Sequence, residues 1–191
     1  MRKAGYPRSL LWSGIAIGSG ILAALAGIYA QNHEAGEMML MENGPIESLQ
    51  TVVLCLAVLI YALRIFKSAD GVAAACISVA FILILAVLRE TPSCGSAFYE
   101  GGICLSRSGK YGISGIAFLG ALALAFMRRR HILEALRPRT FMLFWPLVLA
   151  AAMLAGADWA EHAHHQGIEE FLELTAYLYT MAHSIWLLRK T

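Results

Sequence analysis

Long apolar runs alternate with short polar connectors along this chain. Six runs stand out: Leu10–Ala30, Ile46–Phe66, Gly71–Leu88, Tyr111–Met127, Phe141–Ala157 and Ile168–Leu188. A helix needs about 20 mainly apolar residues to cross about 30 Å of hydrocarbon. Each run therefore predicts a membrane-spanning helix, the third to fifth extending into flanking polar residues. The expected architecture is all-α: one bundle of six transmembrane helices over residues 1–191, with no separate soluble domain. The first run follows Arg2, Lys3 and Arg8 much as a signal peptide would. Its length, and the lack of a small-x-small cleavage pattern, predict a retained helix instead.

Composition agrees with this reading. Hydrophobic residues make up 59% of the chain and charged ones 15%, with a mean hydropathy of +0.63. These are the proportions of a membrane protein, so the lipid bilayer is the first partner expected. The net charge of +2 gives no reason to expect nucleic acid. How the charges divide between the two faces is more informative. With the N-terminus inside, the inner segments carry all but Arg89, Arg107 and Lys110 of the 15 basic residues. Of the 13 acids, only Asp70 and Glu134 fall there. Lys and Arg retained in short cytoplasmic loops set topology, which predicts both termini in the cytoplasm. The inner connection holding Arg128, Arg129, Arg130, Arg137 and Arg139 is the topological anchor and could hold anionic lipid headgroups.

Cys94 and Cys104 lie in the outer connection with nine residues between them. On an oxidising face such a pair predicts a disulfide; a redox-active pair is the alternative. Cys55 and Cys76 fall within apolar runs and read as small packing residues. Gly14 and Gly18 in the first run form a small-xxx-small pair, expected to bring helices of this chain close together. A dimer interface is the alternative.

The densest chemistry lies in Asp158–Glu173, which packs an Asp, four Glu and three His into one stretch. On a continuous helix at about 100° per residue, Asp158, Glu161, His162, His165, Glu169 and Glu173 share a stripe roughly 120° wide. His164 and Glu170 fall off it. Imidazole and carboxylate suit zinc, manganese, iron or nickel, and i, i+3 or i, i+4 neighbours can chelate one ion. Glu173 sits inside the last apolar run, where an ionisable side chain is costly and asks for a named partner. The partners expected are Glu47, which follows the helix start Gly44-Pro45, and Glu90, which ends the third run. A purely structural account stands beside this one. If Gly167 begins the last helix, Glu169 and Glu170 are first-turn acids favoured by the helix dipole. Glu47 has the same account, Arg89 and Glu90 form a local surface pair, and His162, His164 and His165 are a solvated loop.

Two resemblances add expectations. Gly112-x-Ser114-Gly115 at the start of the fourth run resembles the nucleophile motif of rhomboid intramembrane proteases, which are also six-helix proteins. That family needs a histidine at the serine's depth in the sixth helix, and here His183 lies near the opposite end. The second helix also lacks the His-x-x-x-Asn that usually supports the oxyanion. Separately, Glu-Asn-Gly-Pro-Ile-Glu before the second helix, Leu-Arg-Glu after the third and Glu-Glu-Phe-Leu-Glu in the sixth resemble uncharacterised bacterial inner-membrane proteins. This likeness implies a multi-pass protein of the bacterial inner membrane and carries no activity with it.

Three functions follow as expectations. The first is an outward-facing Glu/His site, Glu47, Glu90, Asp158, His162, His165, Glu169 and Glu173, that binds or passes a divalent cation. The second is a metal-dependent hydrolase of lipid or peptide, in which the ion activates a water and a spare Glu takes its proton. The third is an accessory subunit held to a membrane-protein partner, or to a second copy, through small-residue helix faces.

Overall fold

The structure, a computed structural model, describes residues 9–33, 36, 39–40, 44–67, 70–94 and 104–190. The described helices, in chain order, are α1 (Ser9–Gln31), α2 (Pro45–Lys67), α3 (Gly71–Glu90), α4 (Arg107–Met127), α5 (Arg129–Ala135), α6 (Pro138–Phe144), α7 (Pro146–His162) and α8 (Gln166–Arg189). No strand occurs among the described residues. Helices α1 to α4 are long and apolar enough to cross a membrane, and α6–α7 makes a fifth candidate if the bent pair is one span. α8 has the length, at 24 residues, but the polar groups along it, among them Glu173, Thr180, His183 and Ser184, leave it outside that set.

Local chemistry explains where the helices start and stop. Pro45 opens α2 with Glu47 in the first turn, and Arg64 and Lys67 close it, each sign at the end of the helix dipole that favours it. Asp70 caps α3: one carboxylate oxygen accepts the Ala73 amide at 2.8 Å and the other accepts Arg64 Nη2 at 2.9 Å. Ser106 caps α4 by accepting the Gly109 amide at 3.0 Å. Just before it, Cys94 and Cys104 form the expected disulfide. An isolated bridge between Ser93 and Leu105 flanks that disulfide and ties the end of α3 to the approach to α4.

The sequence reading took Phe141–Ala157 as one span. The structure instead breaks this region between α6 and α7, with a bend of 47°. Pro146 begins α7; it has no amide hydrogen to continue the ladder, and its ring crowds the preceding turn. His183 of α8 meets the break, donating from Nε2 to the Leu143 carbonyl at 2.9 Å. Because a carbonyl only accepts, the proton is assigned to Nε2 and leaves Nδ1 to accept from the Tyr61 hydroxyl at 2.7 Å.

α8 runs through the centre of the molecule. Glu173, Ala176, Tyr177, Thr180, His183, Ser184 and Leu187 form its buried stripe, recurring every three or four residues. It packs against α1, α2 and α7, while α3 packs on α2, and among the described helices α4 packs on α3 and α5 alone. Gly14 and Gly18, expected to make the close helix contact, have nothing within 4 Å of a side chain built on them. The close approach lies further along α1, where Gly27 meets Gly167 backbone to backbone. It belongs to a different face, with Trp12, Ala16, Ala23 and Ala30 buried alongside.

The Arg64–Asp70 pair gives the turn between α2 and α3 an acid-sensitive joint. The Arg64 side chain is almost wholly buried and that of Asp70 half exposed. Partial burial works to raise the Asp70 pKa, but the Arg64 hydrogen bond, the Ala73 amide and the Arg64 charge outweigh it, so the value lies below the usual one. A depressed carboxylate stabilises the fold above its unfolded pKa of about 3.9, and that contribution is lost as pH falls through the lower folded value. Asp70→Asn keeps a capping acceptor but leaves Arg64 without its counter-charge. The expected cost is about 1–2 kcal/mol at neutral pH, seen as a lower melting temperature in detergent. The gap between parent and variant should close in acid, below about pH 4; a gap unchanged down to pH 2 would contradict the assignment.

Candidate acidic site at the end of alpha 2, alpha 3 and alpha 8

Glu47 in the first turn of α2, Arg89 and Glu90 at the end of α3, and Glu169, Glu170 and Glu173 in the first turns of α8 line a cavity of about 160 Å³. Its position follows from the packing. α2 bundles with both α3 and α8, whereas α3 and α8 do not pack against each other directly. Long side chains bridge that gap. Arg89 Nη2 reaches across to Glu173 Oε1 at 2.8 Å, and the Tyr177 hydroxyl donates to Glu90 Oε1 at 2.7 Å. On the α2 side, Gln50 Nε2 donates to both the backbone and the side-chain oxygen of Glu170 at 3.0 Å. Gln50 Oε1 is buried without a hydrogen-bond partner, a donor-seeking oxygen on the same helix as Glu47.

The charge inventory is lopsided. Five glutamates and one arginine surround the space. Glu173 is only 3% exposed, while the Arg89 side chain that pairs with it is 56% exposed. Like-charged carboxylates this close repel one another, and the Arg89 guanidinium is paired with Glu173.

The structure separates the residues that the sequence placed on one stripe. Glu47, Glu90, Glu169 and Glu173 come together; Asp158, His162 and His165 do not join them. α7 ends at His162, the chain turns through His164 with φ of 59°, and α8 restarts at Gln166. That left-handed residue resets the helical register, so angles counted from Asp158 carry no meaning beyond it. His162 instead folds onto its own helix, with Nδ1 2.7 Å from the Asp158 carbonyl oxygen and 4.0 Å from its carboxylate, in an exposed position. His165 is exposed beside the first turn of α8. Among the described residues no three or more His, Cys, Asp or Glu are arranged to hold a metal ion.

Sequence reasoning missed four members of the site. Glu170 was placed off the stripe, and the reset register brings it in. Adjacency offers Arg89 a local pairing with Glu90 as one of two readings, but its guanidinium goes to Glu173. Gln50 and Tyr177 carried detectable signals. Gln50 is the lone amide in the apolar body of α2, and Tyr177 follows Glu169 and Glu173 at four-residue steps.

The rhomboid-like motif finds no such constellation. Ser114 lies on α4, which makes no contact with α8, and His183 is occupied by Tyr61 and Leu143. No family model, no curated protein and no solved structure matches this chain. What it shares with other proteins at this level is its class: an all-helical protein with several helices fit to cross a membrane.

Proposed function

We propose that this is a multi-pass protein of a bacterial inner membrane that binds a divalent cation in the acidic cavity on its outer face. Its six spans are α1, α2, α3, α4, the bent α6–α7 pair and α8, with both termini cytoplasmic. The central position of α8 among helices that are themselves apolar enough to span supports counting it. The uneven division of basic residues supports the orientation.

The observation that carries the binding reading is the excess of carboxylate over cation around one small cavity. Carboxylate oxygen without imidazole favours hard ions such as Mn²⁺, Mg²⁺ or Ca²⁺ over zinc or nickel. Arg89 stands where the ligand would go and acts as a tethered counter-ion. Its exposed side chain can swing out, exchanging one positive partner of Glu173 for another. Binding fits better than passage, because the polar groups further along α8 are satisfied locally. Thr180 and Ser184 donate to carbonyls of their own helix, and His183 is held by Tyr61 and Leu143.

Calorimetric titration of purified protein with Mn²⁺, Mg²⁺, Ca²⁺ and Zn²⁺ tests this. Glu173→Gln should weaken binding at least about tenfold, in line with roughly 1.4 kcal/mol or more for a lost charged ligand. Arg89→Gln should tighten it by removing the competitor. Absence of saturable heat with any of the four ions in the parent would remove the reading.

A further inference from the structure

At the end of the bundle opposite the acidic site lies a larger cavity of about 360 Å³ with an almost entirely apolar lining. Ala75 and Ser78 of α3, Ala125 of α4, Ile132 and Leu136 at α5, and Phe141 of α6 form its walls. The two short helices that close it are α5 and α6, which also carry the arginine-rich connection. We propose that this groove and its arginines form a binding site for one anionic phospholipid, with an acyl chain in the groove and the phosphate against the guanidinium groups. It concerns a different face from the cation site and does not depend on it.

Three observations converge. First, the positive charge is uncompensated. Arg129, Arg130, Arg137 and Arg139 are exposed and make no ion pair among the described residues. The acids at this end are already engaged, Asp70 with Arg64 and Glu134 with His131. Second, α5 and its flanks combine these cations with exposed apolar residues, Leu133 at 76% and Leu136 at 75%. That combination puts a short helix in the headgroup layer, its apolar side toward the chains. Third, the groove opens behind that same helix, so one lipid can meet charge at its head and an apolar channel at its tail. Arg128 is not counted, since its guanidinium donates to the Ile65 carbonyl at 2.5 Å, which ties α5 to the end of α2. A basic surface alone would attract any anionic bilayer; the groove turns that attraction into a site for one molecule.

The test uses full-length protein in nanodiscs of phosphatidylcholine containing a few per cent of dioleoyl-phosphatidylglycerol, with retained lipid counted by native mass spectrometry. The parent should retain one phosphatidylglycerol in preference to phosphatidylcholine. Replacing Arg130, Arg137 and Arg139 together by Gln should weaken retention by about fivefold per arginine. Ser78→Phe, which fills the groove from an exposed position, should abolish preferential retention with all charges intact. Ala75→Phe gives the same reading from a second position on α3, and melting temperatures confirm folding. Retention unchanged in both groove variants, or glycerol phosphate competing as well as the whole lipid, would overturn the proposal in favour of diffuse charge attraction. So would a parent dimer that the groove variants dissociate, since a second copy would then be the occupant.

Discussion

Gly27→Ala is expected to destabilise the protein by about 3 kcal/mol or more. A side chain at Gly27 would come within 2.7 Å of Ile168 Cα and closer still to the Gly167 carbonyl. At Gly167 the same construction runs into the Gly27 carbonyl. Both obstacles are backbone, so no flexible side chain can yield, and α1 must move away from α8. The expected fall in melting temperature is roughly 6–12 °C for a chain of this size. Because Gly167 lies in the first turn of α8, two residues before Glu169, the shift should also weaken cation binding. Gly18→Ala is the control, since nothing lies within 4 Å of that position. Equal melting temperatures for the two variants would show that the α1–α8 crossing is looser than described.

His183→Ala should cost a comparable amount, about 2–4 kcal/mol. The imidazole is fully buried among Trp12, Phe144 and Trp186. Its removal leaves a cavity, the Tyr61 hydroxyl without an acceptor and the Leu143 carbonyl without a donor. Each orphaned buried group costs about 1–3 kcal/mol in a protein interior. Hydrogen bonds between membrane helices average nearer 0.6 kcal/mol, because the unfolded helices in lipid also find partners. The cavity term then keeps the total above 2 kcal/mol. Tyr61→Phe should be milder, and the double variant should fall short of the sum, because both changes remove the same bond. Strict additivity would mean that the two side chains do not share it. Tryptophan emission gives a second readout, since Trp12 and Trp186 both pack against this ring.

How much of this was legible in the sequence depends on the kind of signal. Apolar length is one-dimensional, so the runs at 10–30, 46–66 and 71–88 match α1, α2 and α3 to within a few residues. Pairing of Cys94 with Cys104 was also accessible, from their place in one connection expected on an oxidising face. Facing is harder. A small-xxx-small pattern says that helices could approach closely but not on which side, so Gly14 and Gly18 drew attention while Gly27 made the contact. Register fails wherever a helix is interrupted. The stripe from Asp158 to Glu173 assumed continuity, and one left-handed residue at His164 divided it into a solvated imidazole half and a carboxylate half that lines the cavity. Pro146 broke the run at 141–157 by a different route, its missing amide and its ring. Among the site residues, acids flanking apolar runs at one end of the bundle were easy to collect. The bond from Arg89 to Glu173 was not, because it joins helices that do not pack on each other.

α4 illustrates how differently selection can act on two helices of one protein. None of its residues is buried, whereas Leu54, Ala57 and Tyr61 on α2 are at most 1% exposed. Shape therefore constrains α2 at each of these positions, and exchanging one aliphatic side chain for another there disturbs several neighbours. Along α4, apart from Ala125 at the groove, the protein asks mainly for greasiness over a sufficient length, so its letters can drift over generations while its character persists. Two helices of similar length, 23 and 21 residues, are thus expected to age at different rates.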